Sequence, residues 1–148
     1  YREIKFEDHE RRIRFKPDGW LVRKSKKTGV QLFYADFKSI NTYKFKTLLR
    51  DGVPREHMQQ INFYMCHRPV IRFDDSLVRT QPLGVMVYED KNSQEQLCLT
   101  VEKDVEQYRA DLSNIEYLHK CVDNKKPPKR VADSAACKWC SYVSICKK

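Results

Sequence analysis

Asp36 and Lys38 have the residue types and the spacing that metal-assisted hydrolysis requires. Residues two apart in a strand project from the same face, so we expect these two side chains to point together while Phe33, Ala35 and Phe37 pack behind them. A carboxylate and an ammonium group are costly to bury at the end of an apolar strand unless they are paired or used in chemistry. With a divalent cation, the carboxylate can bind the ion and the amine can orient or activate the attacking water. An ordinary salt bridge at a strand end is the alternative interpretation, which these residues alone favour.

Asp18 is a second carboxylate that can join this pair. It lies 18 residues before Asp36, between Pro17 and Gly19. If its strand neighbours the strand of Asp36, the two carboxylates converge, and they then repel each other unless they are protonated or bridged by a cation such as Mg²⁺. The alternative interpretation is a simple turn, because proline, aspartate and glycine are all common in turns.

Gln60 and Tyr64 are four residues apart in a segment that we predict to be helical. Side chains at this spacing share one face of a helix. We expect that face to adjoin the apolar stripe of Met58, Ile61 and Met65, so that Gln60 and Tyr64 point toward the end of the sheet. Their alternative role is that of ordinary rim residues.

Cys137, Cys140 and Cys146 form a C-x₂-C-x₅-C cluster near the end of the chain. Three thiolates this close together converge readily on zinc or on an iron–sulfur cluster, although a chance group of structural cysteines is the alternative. The charged start of the chain has no signal-peptide pattern, so we expect a reducing, cytoplasmic compartment and metal binding rather than a disulfide framework.

The chain carries 29 lysines and arginines against 20 acidic residues, a formal net charge of +9. This excess favours a polyanionic partner such as DNA, because neutralised phosphates release counterions; a solubilising surface is the alternative. No apolar run approaches the roughly 18 residues needed to cross a bilayer, so we expect no membrane partner. The chain does not begin with Met, and we interpret it as processed or as a fragment.

The elements that position these residues can be predicted from periodicity. Alternating polar and apolar residues predict strands at 2–6 and 12–15. Further strands are predicted at 20–22, at 30–37, which is apolar on both faces at its start, and at 83–88 and 97–101. The first four are expected to form an antiparallel meander. We expect helices at about 43–49, after Pro54, and after Asp104 as an N-cap residue. The predicted fold is α/β, with a central mixed β-sheet flanked by helices. We divide it into residues 1–124 and a segment 125–148, which comprises a basic linker and the cysteines.

Taken in order, these motifs resemble the RecB-like branch of the PD-(D/E)xK nuclease superfamily, which includes phage and CRISPR-associated exonucleases and AddB-type nuclease domains. The matching segments, from the first motif to the cysteines, are Phe15-Lys-Pro-Asp18-Gly19, Tyr34-Ala-Asp36-Phe-Lys38-Ser39, Gln60-Ile-Asn-Phe-Tyr64, Tyr88-Glu-Asp-Lys91-Asn and Pro127 to Cys146. Each motif is weak alone, and their joint order and spacing make the match specific.

The resemblance implies a restriction-endonuclease-like core and a role for each matching residue. Asp18, Asp36 and the backbone carbonyl of Phe37 would bind Mg²⁺ or Mn²⁺, and Lys38 would position the attacking water. The other matches carry further implied roles: Gln60 and Tyr64 contact DNA or support the metal site, Lys91 faces the substrate, and Cys137, Cys140 and Cys146 bind zinc or a [4Fe-4S] cluster. The implied activity is that of a DNA exonuclease that processes DNA ends in replication, recombination or repair, in a phage or prokaryote.

The chain departs from that family in two respects. No N-terminal helical region with a metal-binding histidine is visible, and we do not assign that role to His9. No cysteine precedes Cys66, so the fourth cluster ligand is not identified. A four-cysteine cluster would need Cys66, Cys98 or Cys121 as a substitute, or a residue upstream of Tyr1. A catalytically silent, nuclease-like DNA-binding module of a larger helicase or recombination protein is therefore a second hypothesis. A zinc-ribbon nucleic-acid-binding protein is a third.

Overall fold

The computed structural model describes residues 5–129 and, beyond them, residues 137, 138, 140, 141 and 143. The chain divides into two compact units, Tyr1–Asp111 and Leu112–Lys148, and the division falls inside the last helix. In chain order the elements are β1 (Phe6–Asp8), β2 (Ile13–Phe15), β3 (Gly19–Ser25), β4 (Gly29–Ile40), α1 (Thr42–Asp51), α2 (Arg55–His67), β5 (Val70–Phe73), β6 (Ser76–Arg79), β7 (Leu83–Asp90), β8 (Gln96–Glu102) and α3 (Val105–Asp123).

A four-stranded mixed sheet forms the centre of the first unit. Its strand order is β3-β4-β7-β8. The pairs β3–β4 and β7–β8 are antiparallel, whereas β4 and β7 are parallel. Parallel neighbours need a crossover connection, which here contains α1, α2 and the β5–β6 hairpin. The prediction of an α/β fold with a mixed central sheet flanked by helices is confirmed.

One face of this sheet carries the core. Alternate residues of β4 and β7 point to the same face, and Leu32, Tyr34, Met86 and Tyr88 are fully buried there. They pack with buried residues of the two preceding helices, namely Phe45 and Leu48 of α1 and Ile61, Tyr64 and Met65 of α2. Burying each large apolar side chain contributes on the order of 1.5–3 kcal/mol. This packing fixes α2 over the central strands.

The side-chain burial predicted for Phe37 and Met58 is wrong. Phe37 was expected to pack behind the strand, but its side chain is 50% exposed on the sheet face opposite the core. Met58 was expected in the apolar stripe of α2, but it is 39% exposed, and Asn62 and Tyr64 are buried with Ile61 and Met65 instead. The buried face of α2 is therefore rotated toward the polar residues that the site uses.

The predicted four-stranded meander is also wrong. β1 and β2 pair only with each other in a separate two-stranded sheet, and β3 begins the central sheet. Pro17 lies between them and has no N–H to donate to a ladder. Phe15, the last residue of β2, stacks on Tyr64 with ring centroids 5.2 Å apart. The hairpin is therefore held by aromatic packing on α2 rather than by strand pairing with β3.

Two further strands were not predicted, and β3 and β4 both extend beyond their predicted bounds. β5 and β6 form a hairpin around Asp74 and Asp75, which both have positive φ values of 45° and 60°. Aspartate tolerates this left-handed conformation, and the turn suits a tight hairpin. β4 continues past Phe37 to Ile40 because β7 pairs with it as far as Ile40–Asp90. The predicted helices α1, α2 and α3 and the strands β7 and β8 are confirmed within a few residues at each end.

The N-terminus of α3 is capped as predicted. Asp104 Oδ1 accepts a hydrogen bond from the backbone nitrogen of Gln107 at 2.9 Å. Asn62 of α2 fixes the same turn, since its side chain donates to the carbonyl oxygen of Asp104 and accepts from its backbone nitrogen, both at 2.8 Å. Within the described part of the chain, no helix is both long and apolar enough to cross a membrane.

Candidate active site

Asp36 and Lys38 lie together on the face of β4 that α2 covers. The Asp36 side chain is 1% exposed and that of Lys38 is 25% exposed. Lys38 Nζ lies 2.6 Å from Asp36 Oδ2. The strand spacing therefore gives the predicted juxtaposition, and it buries the carboxylate beside an ammonium group that still reaches solvent.

Gln60 connects both of these residues to α2. Its Oε1 accepts a hydrogen bond from Lys38 Nζ at 3.1 Å, and its Nε2 donates to Asp36 Oδ1 at 3.1 Å. The same Nε2 also donates to the hydroxyl oxygen of Tyr64 at 2.8 Å. One amide thus fixes the carboxylate and the amine relative to each other, because its donor and acceptor ends cannot be exchanged without losing both bonds.

Tyr64 lies behind Gln60 rather than on the open side of the site. Its side chain is largely buried and stacks on the ring of Phe15, with an interplanar angle of 13°. Burial raises the pKa of Tyr64, so the hydroxyl stays protonated at neutral pH. Of the two roles that the family resemblance implied, this position favours support of the site over direct contact with DNA.

Asp18 reaches the site from the connection between β2 and β3. The ladder pairs Gly19 with Ala35, which brings the preceding residue beside Asp36. Asp18 Oδ2 accepts a hydrogen bond from the backbone nitrogen of Phe37 at 2.9 Å. The structure therefore brings Asp18, Asp36, Lys38, Gln60 and Tyr64 together, with the Phe37 peptide between the two carboxylates.

Asp36 is a buried carboxyl group with two charged neighbours. Burial raises the pKa of this carboxyl group, the Lys38 ammonium opposes the shift, and the charge of Asp18 adds to it. The buried Asp36 Oδ2 has the Lys38 ammonium, 2.6 Å away, as its partner, while Oδ1 accepts from Gln60. A buried carboxyl group whose pKa is shifted by burial and by two charged neighbours is the kind of group that clusters at functional sites.

His57 is a residue of this site that the sequence motifs missed. It precedes Gln60 by three residues on α2 and is half-buried, and its Nδ1 lies 2.9 Å from the hydroxyl oxygen of Tyr88. Tyr88 is fully buried and pairs with Lys38 across the β4–β7 ladder. Burial lowers the pKa of His57, and the nearby Lys38 ammonium lowers it further. The helical spacing of His57, Gln60 and Tyr64 is the sequence pattern that could have indicated His57 as a site residue.

The strand-end segment after Tyr88 has a structural role and one exposed cation. Asp90 is 1% exposed and accepts hydrogen bonds from Thr42 Oγ1 at 2.9 Å, the backbone nitrogen of Asn92 at 3.0 Å and Ser93 Oγ at 3.1 Å. These bonds tie the turn to the start of α1. Lys91 is exposed, and its backbone nitrogen donates to the carbonyl oxygen of Ile40 at 2.8 Å, two residues past Lys38 on β4.

The structure describes two of the three cysteines of the C-terminal cluster. Cys137 and Cys140 are described, with the backbone nitrogen of Cys140 3.4 Å from the carbonyl oxygen of Cys137, and Cys146 lies outside the described residues. Cys66, one of the substitute ligands, has its Sγ 3.6 Å from Asn62 Oδ1, and burial raises its thiol pKa. Among the described residues, no three histidine, cysteine, aspartate or glutamate side chains are grouped as a metal site.

Comparison with known proteins adds little to this geometry. No family model matches the chain, and no curated protein matches it. A solved structure titled "Crystal structure of SSO0001" is similar over 97% of this chain, with 15% sequence identity and a TM-score of 0.47. The chain spans 56% of the length of that protein.

Proposed function

We propose that this protein is a Mg²⁺- or Mn²⁺-dependent DNA nuclease, acting as an exonuclease on DNA ends. The observation that carries the proposal is the arrangement around Asp36. Its buried carboxylate is in contact with Lys38, a single glutamine bridges the two, and Asp18 lies on the adjoining Phe37 peptide. This set matches residue by residue the motifs that resemble the RecB-like nucleases, and it supports a restriction-endonuclease-like core.

The donor set suits a hard divalent cation. Mg²⁺ and Mn²⁺ favour carboxylate and carbonyl oxygens, and the ligands would be Asp18, Asp36 and the backbone carbonyl of Phe37. Asp36 Oδ2 is buried and pairs with the Lys38 ammonium at 2.6 Å, and the neighbouring Asp18 carboxylate adds a second oxygen donor for a cation. When bound, the cation supplies positive charge that stabilises the charge developing on a phosphoryl group.

The protein's own groups have separable roles in this proposal. Lys38 presents an ammonium group, partly open to solvent, that can hold the attacking water and neutralise charge on a phosphate oxygen. Gln60 keeps Lys38 and Asp36 in register, since it bonds to both. Tyr64 holds Gln60 from behind through the 2.8 Å hydrogen bond. Lys91 and the net charge of +9 supply attraction to the DNA backbone that does not depend on base sequence.

A catalytically silent DNA-binding module of a helicase or recombination protein is the second candidate. It is favoured by one observation: among the described residues, no group of three or more histidine, cysteine, aspartate and glutamate side chains is arranged to hold a metal ion. This candidate keeps the DNA contact and lacks the hydrolysis. For both candidates, Cys137, Cys140 and Cys146 are proposed to bind zinc or an iron–sulfur cluster.

Cleavage by the unmodified protein separates the two candidates, and the Lys38→Ala variant tests the role of Lys38. The nuclease proposal expects it to fold and to bind DNA with nearly unchanged affinity while cleavage is lost, since Lys38 serves the reaction rather than the core. Lys27→Ala is the matched control, because Lys27 is exposed in the turn between β3 and β4. Full cleavage activity in Lys38→Ala would refute the assignment. Binding without cleavage in the unmodified protein would favour the silent module.

A further inference from the structure

His57 is a titratable side chain outside the motif residues that lies next to the candidate site, since its hydrogen-bond partner Tyr88 pairs with Lys38 across the β4–β7 ladder. It lies on the same face of α2 as Gln60 and Tyr64, because positions i, i+3 and i+7 align on a helix. Its ring is influenced by the positive charges of Lys38 and Lys44 and by the negative charges of Glu56 and Asp36. The imidazole therefore lies within the electrostatic range of the proposed reaction centre, on a helix already bonded to that centre through Gln60.

The hydroxyl of Tyr88 determines which ring nitrogen of His57 carries the proton. Tyr88 is fully buried, and among the described residues its hydroxyl has one hydrogen-bond partner, His57 Nδ1 at 2.9 Å. If Nδ1 carried a proton and donated it, the hydroxyl proton of Tyr88 would be left buried without an acceptor, which is unfavourable. The favoured arrangement has Tyr88 donating to Nδ1. In the neutral ring the proton then resides on Nε2.

The second nitrogen is available for a ligand. His57 is half-buried rather than enclosed, and its Nε2 has no hydrogen-bond partner among the described residues. His57 is bonded to Tyr88, which pairs with Lys38 across the β4–β7 ladder. An N–H donor at this position suits an anionic acceptor, and a hydrogen bond to a charged group is stronger than one to a neutral group. A non-bridging oxygen of a phosphodiester has this chemistry.

We propose that His57 is a substrate-contacting residue, whose Nε2–H donates to a phosphate oxygen of the bound DNA strand, and that Tyr88 is the positioning residue that fixes its tautomer. This inference rests on the proposed function for the identity of the substrate, a DNA strand. It does not require that the strand be cut. Its test can therefore fail independently of the test for hydrolysis.

The test is made on the full chain with a single-stranded oligodeoxynucleotide in EDTA, where no metal-dependent cleavage can occur. With ¹⁵N-labelled histidine, NMR reports the tautomer of each imidazole. We expect His57 to show the Nε2–H form, its Nε2 signal to shift when the oligonucleotide is added, and Tyr88→Phe to mix the tautomers. A His57 signal that does not respond to bound oligonucleotide would overturn the proposal, as would an Nδ1–H form.

Measurements of oligonucleotide affinity provide a second, independent test of the His57 contact. His57→Leu should raise the Kd for the oligonucleotide about tenfold, the effect of losing one hydrogen bond to a charged group. His57→Gln, which retains an N–H donor, should recover part of that loss. His9→Leu is the matched control, since the side chain of His9 is 90% exposed in the β1–β2 turn, and it should leave the Kd unchanged.

The outcomes separate this inference from the proposed function. Metal-dependent cleavage by the unmodified protein, together with an unchanged Kd in His57→Leu, would overturn the role of His57 and leave the nuclease proposal standing. Absence of cleavage, together with a raised Kd in His57→Leu, would support the His57 contact while removing the nuclease proposal. Absence of any oligonucleotide binding by the unmodified protein would overturn the inference.

Discussion

Asp18 Oδ2 accepts a hydrogen bond from the backbone nitrogen of Phe37 at 2.9 Å, so a loop carboxylate is fixed on the peptide that joins Asp36 to Lys38. The bond holds the charge of Asp18 close enough to raise the pKa of Asp36. Two carboxylates are thus maintained at short range by the backbone itself. A cation that bridges them would relieve their mutual repulsion.

This relationship predicts a charge-specific effect of Asp18→Asn. Asparagine retains an oxygen that can accept from the Phe37 backbone nitrogen, so the melting temperature without metal should change little. The negative charge is lost, and a ligand that binds only the folded state raises the melting temperature. Added Mn²⁺ should therefore stabilise the unmodified protein and fail to stabilise Asp18→Asn, as measured by differential scanning fluorimetry.

Asp75→Asn is the matched control for this experiment. Asp75 is exposed in the β5–β6 turn at a positive φ of 60°, which asparagine also tolerates. Its response to Mn²⁺ should equal that of the unmodified protein. Equal stabilisation of Asp18→Asn by Mn²⁺ would show that Asp18 is not a ligand.

Gln60→Ala should reduce cleavage more than it reduces stability. The variant removes the amide that holds Asp36 and Lys38 in register, and loss of such a supporting hydrogen bond typically costs about 10–100-fold in metal affinity or activity. We expect that range for kcat/KM on DNA. Gln59→Ala, one residue away on α2 and without a bond to either charged residue, should retain full kcat/KM. Equal losses in both variants would indicate a general perturbation of the helix.

Gly84 is required for α2 to approach the sheet. A Cβ atom on Gly84 would lie 2.7 Å from Cδ1 and 2.8 Å from Cγ1 of Ile61, which is itself fully buried. Overpacking of this kind costs about 1–3 kcal/mol, so Gly84→Ala should lower the free energy of unfolding by that amount in urea. Gly19→Ala is the control in the same sheet, because its Cβ would meet only Phe37 Cε2 at 3.9 Å. A tolerated Gly84→Ala would contradict the close packing of α2 on β7.

A buried histidine away from the site predicts a loss of stability in acid. The His67 side chain is 4% exposed, with Nε2 3.3 Å from Asp8 Oδ2 and Nδ1 2.9 Å from the hydroxyl oxygen of Tyr108. Burial lowers its pKa below the ordinary value of 6.5, Asp8 opposes the shift, and Arg68 and Arg11 add to it. The unfolded chain therefore takes up the proton more readily than the folded chain.

The sign of the effect follows from this difference in proton uptake. The free energy of unfolding should fall as the pH drops below 6.5 and should level off once the pH is below the lowered pKa of the folded state. His57 has a lowered pKa as well, so His67→Gln should weaken the dependence without removing it. Urea unfolding over this pH range measures the slope, and His9→Gln serves as the exposed control. An unchanged slope in His67→Gln would contradict the assignment.

Local spacing predicted the parts of the site, because each part depends on one element. The period of two in a strand places Asp36 with Lys38, and the helical period places Gln60 with Tyr64. Spacing could not predict that Gln60 bridges Asp36 and Lys38, because Gln60 lies 24 positions from Asp36 in the sequence. That contact depends on the crossover that lays α2 on β4. His57 was missed for the same reason, because its partner Tyr88 is supplied by β7.

The fold was predicted less well where aromatic packing or turn chemistry overrides periodicity. Phe15 ends β2 by stacking on Tyr64, so the expected meander does not continue into β3. Asp74 and Asp75 make a hairpin turn without glycine, which left β5 and β6 without the usual turn signal. In both cases a contact distant in sequence, or an uncommon backbone conformation, decided the structure.

The most direct test of the central proposal is cleavage of end-labelled single- and double-stranded DNA with Mg²⁺ or Mn²⁺, beside an EDTA control and the Asp36→Ala variant. We predict degradation that requires the metal and is abolished in Asp36→Ala, with the product ladder reporting the direction of cleavage. Degradation that persists in EDTA or in Asp36→Ala would contradict the proposal, and so would intact DNA in every lane despite salt-sensitive DNA binding by the unmodified protein.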